Sequence, residues 1–192
     1  HGVAPWKHAA LSGWILDPDR KKMGKSSGNA QTPDGMLEQF GTDAVRYWAA
    51  SGRPGVDTTF SEDQMKVGRK LANKLLNVSK FVLSFPEPDM SMPLADAVTQ
   101  AVDRSMLAKL DDTIAEATAG FEAFDYARAL ERTESFFWWF CDNYVELVKS
   151  RAYNSQGEAP ANSALRALRE ALSSMQRLFA PMLPFATEES WS

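Results

Sequence analysis

Residues 10–16 read ALSGWIL, a short apolar run broken by Asp17-Pro18-Asp19. Proline presets a turn dihedral and aspartates bond their own backbone, so this pattern predicts a strand followed by a turn. Thr32-Pro33-Asp34 then opens a helix, with threonine as cap, proline in the first turn and an acid near the positive dipole end. Gly41 closes it. Thr42-Asp43 starts a second short helix through AVRYWAA, which Ser51-Gly52 stops, and RPGVDTT (53–59) reads as a loop. From Ser61 onward the apolar period turns helical. Ser61 and Gln64 form a capping box, with Phe60 and Met65 placed as the hydrophobic staple. That helix is expected over 61–85, ending at PEPDMSMP, and others over 94–119, 123–152 and 162–180, the last stopped by Pro181 and Pro184.

The 61–85 helix carries two opposed stripes. At 100° per residue, Val67, Leu71, Leu75, Val78 and Val82 share an apolar face about 80° wide. Lys66, Arg69, Asn73, Asn77 and Lys80 share another of similar width, centred about 200° away. Three cations and two amides in one exposed row suit phosphates and base edges, although a solvated face carries the same pattern. Farther on, the five aromatics at 136–140 (FFWWF) circle a helix completely, so most are expected in the core, with one or two free to stack bases. Lys149 and Arg151, near the end of that helix, suit its negative dipole end, and either could touch RNA. No repeat or low-complexity tract interrupts the pattern. The expected fold is mainly α: a small α/β element over 1–57, then an antiparallel helical bundle over 58–192.

Composition narrows the chemistry. The single cysteine, Cys141, excludes an internal disulfide and a Cys-based metal cluster, and fits a reducing, cytoplasmic setting. His1 and His8 are too few for a histidine-led metal site and read as structural or incidental; no metal ligand is assigned. No apolar run reaches the roughly 18 residues that span a bilayer. The net charge of −4 hides an asymmetry: 12 Lys/Arg against 8 Asp/Glu over 1–85, and 9 against 17 over 86–192. A polyanion is therefore expected on the first half. The chain ends at TEESWS just as a helix begins, which reads as a piece of something longer.

The densest chemistry lies in DPDRKKMGKSSGNAQTP (17–33). Lysines, hydroxyls and glycines ahead of a helix suit phosphate, since ammonium groups and bared amides stabilise negative charge and glycine lets the backbone come close. Gly24-Lys25-Ser26 matches the end of a nucleotide P-loop, but that motif needs glycine at position 19, where aspartate stands.

KMGKSSGN (22–29) instead resembles the KMSKS signature of class I aminoacyl-tRNA synthetases: Lys22, Met23, Lys25 and Ser26 match, and Gly24 stands where that family usually has serine. GWILDPDRKKM before it and GNAQTPDGMLEQFGTDAVRYWAASGRPGVDTTF after it extend the likeness. GRKLANKLLNVSKFVL (68–83), FFWWFCDNYVELVKSRAY (136–153) and RLFAPMLPFATEESW (177–191) resemble the anticodon-binding bundle of the valyl-tRNA synthetases, with FCDNYVELVK separating it from isoleucyl and leucyl types. Residues 86–100 match least.

The resemblance implies an enzyme that uses ATP and Mg2+ to activate valine as an adenylate and passes it to tRNA-Val. It implies Lys22 and Lys25 as catalytic cations on the triphosphate as pyrophosphate leaves, with Met23, Gly24 and Ser26 shaping the ATP loop. For tRNA the candidates are the polar stripe read above, Lys66, Arg69, Asn73, Asn77 and Lys80. A monomer is expected. No HIGH-type signature or editing domain is found, and HGVAPW lacks the His-x-Gly-His spacing, so this chain alone is expected not to aminoacylate. The other readings are a synthetase of isoleucyl or leucyl type, a free-standing RNA-binding module, and a helical domain whose lysine loop is a relic.

Overall fold

A computed structural model describes residues 2–30 and 32–192; His1, read above as incidental, lies outside them. The first element holds β1 (Ile15–Leu16), α1 (Pro33–Phe40) and α2 (Thr42–Ala50), and β2 (Thr58–Thr59) follows. The strands pair in parallel, Ile15 with Thr58 and Leu16 with Thr59. The expected strand over 10–16 therefore shrinks to its last two residues, and its partner comes from the segment read as loop. Both facts have one cause: a strand needs a partner, and only two residues on each side find one.

α3 (Glu62–Leu83) begins as expected, with Ser61 Oγ accepting from Gln64 N at 3.2 Å. Thr32 caps α1 by position, but its side chain makes no capping bond. Then follow α4 (Leu94–Ala97), α5 (Ala101–Glu122), α6 (Tyr126–Trp139), α7 (Val145–Ala152), α8 (Glu158–Phe179) and α9 (Pro184–Trp191). The helix expected at 94–119 is broken. Val98 turns into the core in extended conformation, and the amides of Thr99 and Gln100 donate to Ser163 Oγ, 3.1 Å each, instead of to a helical carbonyl. The helix expected at 123–152 starts at Tyr126, because Asp125 accepts from Arg128 N and caps it, and it runs through a π-helical turn at Phe140–Tyr144 into α7. α8 starts at Glu158, earlier than expected. Pro160 falls in its first turn, where the missing N–H has no intrahelical partner in any case.

The main core joins α3, α5, α6, the π turn, α7 and α8, and it takes in Phe136, Phe137 and Phe140 of the aromatic run, with Trp138 and Trp139 half-buried at its edge. A smaller core of Phe40, Ala44, Trp48, Phe60 and Met65 ties α1 and α2 to the start of α3 and includes the expected staple pair. Cys141 is buried, and desolvation pushes its thiol up to about 12, so it stays protonated at neutral pH. No helix among the described residues is long and apolar enough to cross a membrane.

On α3 one expected core position is displaced. Val67 is 39% exposed, while Met65 and Gly68 face inward beside Leu71, Leu75, Val78 and Val82. Gly68 is there because α2 presses on it: a Cβ at that point would lie 2.6 Å from Tyr47 Cβ and 2.7 Å from its Cγ. Tyr47 cannot swing away freely, since its hydroxyl donates to Glu134 Oε2 at 2.7 Å. Overpacking costs about 1–3 kcal/mol and helix propensity returns about 1. Gly68→Ala is therefore expected to destabilise by up to about 2 kcal/mol in urea unfolding. The same change at Gly35 in α1, where a Cβ meets nothing within 4 Å, should stabilise by about 0.4–1 kcal/mol. Equal effects at the two sites would refute this account.

Candidate functional site

The lysine loop is closed at its base by one carboxylate. After β1 the chain turns back so that Leu16 and Lys22 form an antiparallel bridge, with Arg20 at φ 63° in the bend. Asp17, almost buried, accepts from Lys21 N through Oδ1 at 2.8 Å and from Asn29 Nδ2 through Oδ2 at 2.8 Å. Asn29 Oδ1 in turn accepts from Gly24 N at 3.0 Å. The Lys21 amide, and then Asn29, hold the Asp17 carboxyl below its ordinary range. A group shifted this way keeps the clasp fully formed above the ordinary aspartate value and releases it as pH falls through the lowered one.

Between those anchors the five loop residues stand together on the surface. Met23 is half-buried and packs against the smaller core, which turns Lys22 and Lys25 outward. Lys22 Nζ lies 3.6 Å from the centroid of the Trp14 ring. Lys25–Ser27 form one 3-10 turn ended by Gly28 at φ 68°. Gly24 is extended (φ −158°, ψ 146°), and a Cβ there would meet only Ser27 Oγ at 3.6 Å and Ser26 Oγ at 3.9 Å. Neither the backbone nor the space demands glycine, so a serine fits without strain. Among the described residues neither Lys22 nor Lys25 forms an ion pair with a carboxylate.

The polar stripe of α3 is exposed along its whole length. Lys66 pairs with Asp63 at 2.9 Å, which raises its pKa, and Arg69 Nη1 donates to Gln39 O at 3.2 Å, tying α3 to the end of α1. Lys66, Arg69, Asn73 and Asn77 line a groove of about 740 Å3 between α3 and the α6–π junction; Lys80 lies beyond it. The far wall supplies Trp138 and Asp142, and Lys70 and Lys74 of α3 also line the groove. Lys74 Nζ is 3.6 Å from Asp142 Oδ1, and Lys70 Nζ is 5.6 Å from the Trp138 ring. Arg151 is withdrawn from the RNA-facing candidates: it is buried and bonded to Asp103 at 2.6 Å, because its helix packs on α8 and its side chain reaches across to α5. Lys149 remains exposed.

Residues 1–61 match tRNA synthetases class I (I, L, M and V), and residues 103–192 match the anticodon-binding domain of tRNA ligase. A valine–tRNA ligase of Salinispora arenicola is 59% identical over 189 residues, 98% of this chain, and one of Thermobifida fusca is 60% identical over 192 residues, the whole chain. The chain belongs to the valine–tRNA ligase branch of the class I tRNA synthetases. It spans 22% of the length of those curated relatives.

Solved synthetases share the fold. A Mycobacterium tuberculosis methionyl-tRNA synthetase, in complex with methionyl-adenylate, superimposes with TM-score 0.72 at 22% identity, over 92% of this chain and 36% of its own. A leucyl enzyme from Agrobacterium radiobacter, in a ternary complex with tRNA, gives 0.69 at 22% identity, over 94% and 22%. For this synthetase chain, sequence reading missed the Asp17–Asn29 clasp and the contributions of Lys70, Lys74 and Trp138. DPD before the loop and GN after it were the available signal for the clasp. Lys70 lies just outside the angular window of the stripe, Lys74 falls between the stripe and the apolar face, and Trp138 was absorbed into an aromatic run read as core. Among the described residues no group of three His, Cys, Asp or Glu could hold a metal ion.

Proposed function

We propose that this chain supplies a valine–tRNA ligase with its ATP-facing lysine loop, residues 1–57, and its tRNA-facing helical bundle, residues 58–192. The observation that carries the first half is the clasped loop with Lys22 and Lys25 exposed and unclaimed by any carboxylate among the described residues. Bound ATP would supply the anhydride whose cleavage activates the amino acid. The chain's own part is electrostatic. Two ammoniums held on a short loop stabilise negative charge as it gathers on departing phosphates, with Met23 anchoring the loop and Gly24 and Ser26 shaping it. Among the described residues no group of three His, Cys, Asp or Glu could hold Mg2+, which would arrive with the nucleotide. The substrates of the whole ligase are valine, ATP and tRNA-Val, and its setting the cytoplasm, as a monomer. The chain alone is expected to show no valine-dependent ATP–pyrophosphate exchange.

The groove supports the second half. Lys66, Arg69, Lys70 and Lys74 offer phosphate contacts, Asn73 and Asn77 can read base edges, and Trp138 offers a stacking face beside them. Fluorescence anisotropy of the chain with tRNA-Val and an anticodon-swapped control, at low and moderate salt, tests this. A preference for tRNA-Val that survives added salt is the expected result. Equal binding to both, collapsing with salt, would mean that only phosphates are held, and base reading by this groove would be refuted. Each lysine removed should lower the salt slope by about 1.

A further inference from the structure

We propose that Trp14 is a positioning residue for the Lys22 ammonium, its indole face holding the cation in one direction so that a triphosphate meets it already placed. This rests on the reading of the loop as ATP-facing. The arrangement follows from strand register. Trp14 lies two residues before Leu16 and so on the same face, and Leu16 bridges to Lys22, which makes Trp14 and Lys22 diagonal neighbours across the pair. Nζ sits 3.6 Å from the ring centroid, the shortest of the five cation–π contacts among the described residues.

The platform is fixed to the body of the protein and not to the loop. Trp14 N donates to Asp57 Oδ1 at 2.7 Å, and its carbonyl accepts from Thr58 N at 2.9 Å, so the residue is pinned to β2. Lys22 is held by its backbone bridge and by the clasp beneath it. A lysine has four flexible bonds beyond that point, and the indole removes much of their freedom. The chemistry of the partner matters as much as its position. A carboxylate would also orient the ammonium, but it would neutralise it and compete with phosphate. An aromatic face is uncharged: it covers one side of the ammonium and leaves the other N–H groups to solvent, as the 60% exposure of Trp14 and the exposure of Lys22 require. Asp17 is engaged with Lys21 N and Asn29, and Asp57 with Trp14 N.

The test uses the 192-residue chain with 13C-labelled lysine. The Lys22 ε-methylene signal should be displaced upfield by the indole ring current, stay displaced in Trp14→Phe, and return to the ordinary lysine position in Trp14→Leu. Inorganic tripolyphosphate, titrated on the same signal and on the loop amides, should bind Trp14→Leu about threefold to tenfold more weakly and Trp14→Phe within about twofold of the parent. Amide spectra unchanged outside the loop would support a local effect and exclude misfolding as its cause. An undisplaced Lys22 signal in the parent chain overturns the proposal, as does tripolyphosphate affinity unchanged in Trp14→Leu while Lys22→Ala loses it; the latter result leaves the ATP reading standing. Affinity unchanged in Lys22→Ala overturns both.

Discussion

Replacing Asp103 with asparagine is expected to destabilise the fold by about 3–5 kcal/mol, lowering Tm by roughly 6–20 °C. Asp103 is fully buried in the first turn of α5, and four bonds converge on its carboxylate. Oδ1 accepts from Tyr144 Oη at 2.8 Å and Arg151 Nη2 at 2.6 Å; Oδ2 accepts from Arg151 Nη1 and Ser163 Oγ, both at 2.6 Å. The cluster joins α5, the π turn, α7 and α8 at one point. Through Ser163 it also secures the break before α5, and through Arg151 Nη1 the carbonyl of Pro160 in the first turn of α8, at 3.2 Å. Hydrogen bonding to Asp103 raises the Arg151 pKa, and burial, with the Asp103 charge, raises that of Tyr144, so both partners keep their protons.

Asparagine keeps the shape but removes the charge, leaving a guanidinium buried without its counter-ion and an NH2 group facing other donors. That uncompensated charge, rather than the lost attraction, sets the size of the effect. Urea unfolding of the single mutant measures it. A loss below about 1 kcal/mol would mean the site is wet or relaxes easily. Pairing Asp103→Asn with Arg151→Met should cost clearly less than the two single changes added together, because the second removes the charge that the first strands.

The second large effect is catalytic. In a ligase carrying this chain in place of the matching stretch of the Thermobifida fusca relative, Lys22→Ala and Lys25→Ala should each lower kcat for valine-dependent ATP–pyrophosphate exchange by about 10²–10³. The KM for ATP should move much less. An ammonium that acts on charge formed during reaction stabilises the transition state more than the bound substrate, so its loss appears in kcat. Both lysines are exposed, and the clasp that shapes the loop uses Asp17, Asn29 and the Gly24 amide, so folding should be unaffected. Exchange at the parental rate in both variants would identify the loop as a relic. The double variant should lose less than the product of the single losses if both cations serve the same phosphates.

What the sequence by itself determined was written in interactions only a few residues long. Ser61 and Gln64 predicted the start of α3, Pro33 marked the start of α1 and Pro181 the end of α8, and the FFWWF run announced a core that three of its members enter. The KMGKSSGN and FCDNYVELVK stretches carried the family likeness that the relatives bear out. Capping and helical periodicity act between residues at most four apart, so a linear reading can see them.

The tertiary structure alone decided everything that depended on a distant partner. The pairing of Ile15–Leu16 with Thr58–Thr59 needs segments some forty residues apart to meet. The break at Val98 exists because Ser163, 64 and 63 residues from the two amides it serves, accepts bonds that a helix would otherwise make. Gly68 takes the inward place given to Val67 because Tyr47 presses on α3 there, and Arg151 leaves the surface because Asp103 awaits it. In the candidate sites, Trp138 joins the α3 groove from another helix, and Trp14 comes to lie under Lys22 through the register of a two-residue strand. Residue types state what chemistry a chain can offer; which groups meet is settled by packing, since a buried charge or a crowded Cβ is tolerable only beside the partner that the fold delivers.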